Sequence, residues 1–196
     1  MITVVATAFK EKNSLPMFIG SLLCQTNNNW KAIIFHNGID AEMENIFDTI
    51  TDLYPDLDIN NKFEFFFCEE NNGFWGAKNR DFVLKNLVDT KYILNSSVQD
   101  YFVPIAIEEI LKAGDADLIY FNSINHLFGY ERPLDSKLET GWIDWGNFAV
   151  KTEIAKQVGI NKPEDFCADG HFVQDLLKSG SINIKYKINK ILTIHN

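Results

Sequence analysis

One acid stands alone in the stretch Tyr92-Ile93-Leu94-Asn95-Ser96-Ser97-Val98-Gln99-Asp100-Tyr101-Phe102-Val103-Pro104. Tyr92 to Leu94 reads as a buried strand, the polar residues after it as a short turn, and Pro104 as the opening of a helix over 105–112. A polar turn at the carboxyl end of a parallel strand is where an open α/β sheet presents its ligand-binding groups. Asp100 therefore marks a ligand site. A second acid, Asp169, stands before Gly170-His171-Phe172 at the start of a predicted helix over 169–179 closed by Gly180. A dense group, Trp142, Asp144, Trp145 and Asn147, follows Gly141. The segment 71–80, with Gly73 and Gly76, is a loop opening a helix, so its backbone N–H groups can face a ligand.

The elements that position these residues follow from the apolar pattern. Residues 2–9 form a short β-branched run, the pattern of a buried parallel strand. Leu15, Phe18, Ile19, Leu22 and Leu23 recur at helical spacing, with Pro16 tolerated in the first turn. Strands are predicted over 30–35, 62–68 and 117–122, and helices over 39–54 and up to Val88. Strand and helix alternate through the first 120 residues, which predicts right-handed crossovers and a mostly parallel sheet covered on both faces. After Ser123 the rhythm changes. Residues 126–146 read as loop, 147–151 as a short strand, and 152–158 as a helix capped by Thr152 with Glu153 in its first turn. Residues 182–194 alternate apolar and polar, as a strand with one solvated face would. The reading is one α/β domain over 1–196, with a nucleotide-binding half (1–122) and an acceptor-side half (123–196).

Composition narrows the classes. At 196 residues and 46% hydrophobic, with 16 Phe and 4 Trp, the chain can bury an aromatic-rich core. Its net charge of -9 argues against nonspecific grip on nucleic acid or anionic membrane. Cys24, Cys68 and Cys167 are odd in number and widely spaced, which excludes a disulfide framework and points to reduced thiols. No signal peptide precedes the first strand and no apolar run is long enough to span a bilayer, so a cytoplasmic protein is expected.

The opening ITVVATAFKEKNSLPMFIGSLLCQTNNNWKAIIFHNG resembles that of family-two glycosyltransferases of the GT-A fold, small phage or bacterial type, with the phrase Leu22-Leu23-Cys24-Gln25-Thr26 closing the first helix. NNGFWGAKNR resembles the family's Asn-x-Gly…Ala-x-Asn loop. YILNSSVQDYFVP sits where the family keeps its acidic metal motif, CADGHF where it keeps the catalytic base, and the terminal IHN matches a metal-ligating His. The turn His36-Asn37-Gly38 lacks the family's acids, and Asn95 to Gln99 replace the leading acids of the metal motif.

The resemblance implies a GT-A domain that moves a sugar from a nucleotide-sugar, a UDP-sugar, to an acceptor hydroxyl. Mn2+ or Mg2+ would bridge the phosphates as a Lewis acid, held by Asp100 with His195 or Gln99. The plainer alternatives are that Asp100 caps the helix behind Pro104 and that His195 is a tail residue. Thr7, Ala8 and Phe9 would take the nucleoside, Glu11 the ribose, Asn37 the base edge. Gly76, Asn79 and Arg80, or Lys78, would face the phosphates. Asp169 would deprotonate the acceptor, which implies inversion; the plainer reading is a helix cap. Either Trp142 or Trp145, but not both, would stack on the acceptor, with Asp144 reading hydroxyls; the plainer reading is core packing. The acceptor is a glycan, or a hydroxylated nucleobase in modified phage DNA, which would need a basic strip of Lys78, Arg80, Lys85, Arg132 and Lys137. A degenerate GT-A domain that binds a nucleotide or a partner without transfer is the rival. A nucleotidyltransferase is disfavoured because Ala8-Phe9-Lys10-Glu11 is no phosphate loop. The oligomeric state is left open.

Overall fold

A computed structural model describes residues 1–57, 59–69, 72–126 and 129–196. The chain runs β1 (Ile2–Ala8), α1 (Leu15–Leu23), β2 (Trp30–His36), α2 (Ala41–Leu53), α3 (Ile59–Lys62), β3 (Phe63–Phe67), α4 (Ala77–Asn86), β4 (Tyr92–Ser97), β5 (Asp100–Phe102), α5 (Ala106–Lys112), β6 (Leu118–Asn125), β7 (Pro133–Leu134), β8 (Phe148–Lys151), α6 (Thr152–Val158), α7 (Ala168–Lys178) and β9 (Lys185–His195). Alternation along the strands builds two cores. Ile2, Val4, Ala6 and Ala8 of β1 pack into one, Val5 into the other; in β2 Ala32 and Ile34 oppose Ile33 and Phe35; in β4 Tyr92 and Leu94 oppose Ile93. A strand covered on both faces must be apolar on both, which is why these segments read as unbroken runs. Leu15, Phe18, Ile19 and Leu22 of α1 and Ile107 and Ile110 of α5 close the first core; α4, α6 and α7 close the second. Each of these large side chains contributes about 1.5–3 kcal/mol on burial.

The sheet order is β3-β2-β1-β4-β8-β6-β9-β5, with β7 on β6. β1 pairs in parallel with β2 and β4, β2 with β3, and β6 with β9. β8 is antiparallel to both β4 and β6, and β5 to β9. Thus β3, β2, β1, β4, β6 and β9 run one way, the mostly parallel α/β sheet expected. Their carboxyl ends, Ala8, His36, Ser97 and His195 among them, share one edge, where such sheets bind ligands.

The order also implies a curl. Only Val98 and Gln99 separate β4 from β5, a reach of about 10 Å, yet a flat sheet would set these strands roughly 19 Å apart, four spacings of about 4.8 Å. The β5 edge must therefore return to the end of β4, bringing the last residues of the chain over the middle.

Several local expectations need correction. β4 continues to Ser97, beyond Leu94, and Asp100 begins a strand. The helix behind it has Ile105 at its N-cap and no side-chain cap, so Asp100 does not cap it. Nor does Thr152 cap α6: Lys151 holds that position, and the buried Thr152 hydroxyl has no partner. The N-cap of α7 is Cys167, which places Asp169 inside the first turn. The cap that does form is Asp40 on α2, accepting from the N–H groups of Glu42 and Met43. Asn71 of the 71–80 loop and residues 127 and 128 of the 126–146 loop lie outside the described residues.

Candidate active site

The turn between β4 and β5 folds the Asp100 carboxylate back onto its own strand end. Oδ2 accepts from the Ser96 hydroxyl (2.6 Å) and the Ser97 N–H (2.8 Å). Oδ1 faces His195 Nδ1 at 2.5 Å, across the β5–β9 pairing that sets these two residues opposite each other. Asp100 is only 2% exposed. Its other wall is a single 3-10 turn, Trp145–Asn147: a Cβ at Gly146 would lie 2.9 Å from Asp100 Oδ2, so only glycine allows this approach. His195 is therefore no loose tail residue. Burial pushes its imidazolium down, but the hydrogen bond and charge of Asp100 outweigh this and hold its pKa at about 9. The His126 ring lies 5.3 Å from it.

Arg80 rises from α4 beneath this pair. It is 3% exposed; its guanidinium donates to the carbonyls of Trp75 (2.6 Å) and Ser96 (2.6 Å), and it lies 5.3 Å over the Trp145 ring. Its Nε–H has no partner. Burial lowers its pKa to about 10, against the opposing charges of Asp144, Asp100 and Asp169. Three carboxylates from three segments thus act through their charge on one buried cation, whose hydrogen bonds go to backbone carbonyls. Asp144 is half-buried, and its pKa is raised by burial and by Asp100, with His195 and Arg80 opposing. Asp169 is raised to about 7, by burial first and the charge of Asp144 second; the Gly170 N–H and Arg80 oppose. The Cys167 thiol beside it is pushed up by burial and then by Asp169 and Asp165. A carboxyl group that titrates near neutrality at a site edge is suited to accept a proton.

The first turn of α7 is held by close packing. A Cβ at Gly170 would lie 2.7 Å from Thr140 Cα, and Gln174 donates to the Leu138 carbonyl at 2.7 Å. The 138–142 segment therefore lies against Gly170, the neighbour of Asp169, and carries Trp142, which is 44% exposed with Lys137 over its ring at 4.3 Å. Trp145, by contrast, is 8% exposed and packs against Phe148 and Phe172; it supports Arg80 and offers no free face.

On the other side, Gly76 (φ 74°) presses on Thr7, whose Cγ2 would be 2.7 Å from a Cβ there. This seats the glycine loop on the end of β1. Phe9 is exposed, and its N–H donates to Glu11. The Asn37 N–H donates to the Ala8 carbonyl (2.9 Å), while Asn37 Oδ1 accepts from the Asn72 N–H (2.8 Å) and Asn79 Nδ2 (3.3 Å). Asn72 Nδ2 bonds Asn79 Oδ1 at 3.0 Å. Gln99 lies in the β4–β5 turn, its N–H on Ser97 Oγ. A cavity lined by Phe35, Phe66, Phe82, Leu87, Asn72 and Asn79 opens beside this network. Of the predicted donor residues Asn79 and Lys78 line it; the carboxylates lie elsewhere, around Arg80. Sequence reasoning missed Asn72, Ser96 and Gly146, whose roles arise only from contacts across the fold.

Among the described residues no group of three or more His, Cys, Asp and Glu side chains is arranged to hold a metal. Asp100 and His195 nevertheless supply an oxygen and an imidazole nitrogen, with Oδ1 and Nδ1 facing each other at 2.5 Å and the second Asp100 oxygen accepting from Ser96 and Ser97. Mg2+ or Mn2+ held chiefly by substrate phosphates needs no more than one or two such protein ligands, so the pair fits the protein's share of such a site once the cation replaces the proton that His195, with its pKa of about 9, shares with Asp100. The five cations of the DNA reading do not form a free strip: Arg80 is buried, and Lys78 and Lys85 pair with Glu164 (3.9 Å) and Asp81 (2.6 Å). Among the described residues no helix is long and apolar enough to cross a membrane.

No protein-family model matches the chain, and no curated sequence does. Solved structures match its fold. S. aureus TarS superposes with a TM-score of 0.78 at 14% identity, covering 100% of this chain and 36% of TarS. TarS 1-349 in complex with UDP-GlcNAc gives 0.74 at 12% identity over 98% of this chain and 57% of that one. The mannosyltransferase PcManGT from Pyrobaculum calidifontis, in complex with GDP-Man and Mn2+, gives 0.73 at 10% identity over 99% and 56%. The chain thus has the fold of these proteins and spans little more than a third to a little over half of their length.

Proposed function

We infer that this chain is a glycosyltransferase domain of the family-two, GT-A type, moving a sugar from a nucleotide-sugar to an acceptor hydroxyl with inversion. The observation that carries the reading is the convergence of Asp100, Asp144 and Asp169 on Arg80, with Asp169 titrating near 7. The acceptor oxygen attacks the anomeric carbon, its proton passes to Asp169, and the bond from that carbon to the phosphate oxygen breaks, the electron pair leaving with the diphosphate. A single displacement inverts the anomeric centre. Asp144 holds the acceptor's other hydroxyls, with Trp142 beside it. Thr7, Ala8, Phe9, Glu11 and Asn37 take the nucleoside; Gly76, Asn79 and Gln99 line the approach of the phosphates. Arg80 acts from below as a fixed positive charge, since burial keeps it from closing on a phosphate. A divalent cation held by Asp100 and His195 would neutralise charge on the leaving diphosphate. The donor is a UDP-sugar, in line with the UDP-GlcNAc bound by TarS 1-349. Residues 1–122 serve chiefly the donor and 123–196 chiefly the acceptor, with His195 reaching back to the donor side. A glycan acceptor is favoured over DNA, given the net charge of -9 and the paired lysines. The three free cysteines fit the reducing cytoplasm.

The test is release of nucleotide from UDP-glucose, UDP-GlcNAc and GDP-mannose by the purified chain, with and without Mn2+. Asp169→Asn retains nucleotide binding and loses turnover; unchanged turnover in that variant refutes the assignment, and absence of turnover together with tight UDP binding favours the non-catalytic binder.

A further inference from the structure

Two exposed aromatic rings near the segments that carry Arg80 and Asp169 are not used by the mechanism above. Trp75 is 66% exposed and Phe166 72% exposed, and they meet edge to face with centroids 5.1 Å apart. They come from separate segments: Trp75 from the turn before α4, Phe166 from the loop before α7. Two large apolar side chains left mostly in water and set at 79° to each other form an exposed apolar corner.

Both are held in place from behind. Trp75 adopts a left-handed backbone (φ 49°), a conformation that costs a bulky residue about 1 kcal/mol or more. Its carbonyl takes the 2.6 Å hydrogen bond from buried Arg80, and Gly76 after it is wedged on Thr7. The backbone is thus pinned to the base of the site while the indole is thrown outward. Phe166 follows Asp165, whose carboxylate accepts from the Cys167 N–H (2.9 Å) and faces His171 Nε2 (3.1 Å). Phe166 is three residues before Asp169, so their Cα atoms lie within about 11 Å.

We propose that Trp75 and Phe166 form the acceptor platform: the ring of a neutral hexopyranose sits in the angle between them, with its hydroxyl side toward Asp169. This rests on the transfer reading for its function but not for its binding. The charge around the pair selects the ligand class. Glu164 and Asp165 stand directly before Phe166 and Asp169 three residues after it, with Lys78 on Glu164 (3.9 Å) and His171 on Asp165 (3.1 Å) as the basic groups nearby; the excess of carboxylates disfavours phosphate-bearing polymers and accepts hydrogen bonds from hydroxyls. The apolar C–H face of a pyranose matches an aromatic surface. Trp142 is the weaker candidate because Lys137 already covers a face of its ring.

The test uses the full chain with saturating UDP and four methyl pyranosides (gluco, galacto, manno and N-acetylglucosamine), read by saturation-transfer NMR. At least one glycoside receives saturation through its C–H face. Trp75→Ala and Phe166→Ala each weaken it about tenfold, Trp75→Phe restores most of the affinity, and Tyr54→Ala, on an exposed residue after α2, leaves it unchanged. UDP affinity, measured by calorimetry, stays within about twofold in all variants. Binding of none of the four glycosides to the wild type, equal binding in the alanine variants, or loss confined to UDP overturns the platform; the last would place the pair in the donor site. Failure of the transfer reading looks different: the glycosides still bind in a Trp75- and Phe166-dependent way, but no nucleotide-sugar is turned over.

Discussion

Replacing Asp169 by Asn separates the cost of the candidate base from its use. The folded chain holds this carboxyl at about 7, against an ordinary 3.8, so it binds a proton more tightly when folded. Below pH 4 the group is neutral in both states and contributes nothing. Between pH 4 and 7 the unfolded chain is ionised while the folded one stays protonated, and stability falls as pH rises. Above 7 the whole penalty is present. At about 1.4 kcal/mol per pH unit the gap is worth about 4 kcal/mol, and the partial exposure of Asp169 reduces it to roughly 2–4 kcal/mol. Asn keeps the neutral shape. Asp169→Asn should therefore raise Tm by roughly 5–10 °C at pH 8 for a chain of this size, with the gain vanishing near pH 4, while nucleotide-sugar turnover is lost. Asp144 and Arg80 are the charged groups that set this balance, with Cys167 alongside. Thermal melts of both proteins across pH 4 to 8 are the assay. A Tm difference that does not change with pH would refute the argument, whatever happens to activity.

Other expectations follow from the same geometry. The initial rate of transfer rises with pH through a midpoint near 7 as Asp169 ionises; a flat profile between pH 6 and 8 removes it as the base. Gly146→Ala forces a methyl group against the Asp100 carboxylate and should cost about 1–3 kcal/mol by urea titration. By contrast Gly20→Ala, in an α1 position with open space around it, should gain up to about 1 kcal/mol. Equal effects at the two glycines would contradict the packing described. Asp100→Asn, His195→Ala or added EDTA should each lower Mn2+-dependent UDP affinity about 10–100-fold by calorimetry; undiminished affinity in all three conditions would mean that no metal is held there.

Much of the fold was legible because both faces of the central strands are covered. Runs such as 2–8 and 30–36 are apolar throughout, and α1 shows its buried stripe at Leu15, Phe18, Ile19 and Leu22. β5 was not legible: three residues beginning with an acid carry no period, and the strand exists only because β9 pairs with it. The polar end of β4 was mistaken for a turn because Asn95 and Ser96 are polar residues that are nonetheless buried, Ser96 by its bonds to Asp100 and Arg80. Asp100 and Asp169 could be picked from their places at a strand end and a helix start. Their relation to Arg80 could not, since an arginine in a helix gives no sign that it will be buried under Trp145. Trp75 and Phe166, 91 positions apart, share no pattern in the chain.

The curl of the sheet explains how a chain with so few acids in its central motif can still assemble a charged site. Were the sheet flat, Asp100 would sit at the end of β4 with only its own turn for company, and His195 would lie on a distant edge. The two-residue link between β4 and β5 forbids that arrangement and lays β9 across the opening. Asp100 is then sealed by His195 on one side and Gly146 on the other. Neutralised in this way, Asp100 no longer has to be balanced by Arg80 alone. Arg80 is left to moderate Asp144 and Asp169, the two acids whose pKa values stay raised. A donor diphosphate entering this edge adds negative charge and makes Asp169 harder still to ionise. On the transfer reading, whatever positive charge arrives with the donor therefore restores Asp169 as base as well as stabilising the leaving group, which would tie readiness for proton transfer to occupancy of the donor side.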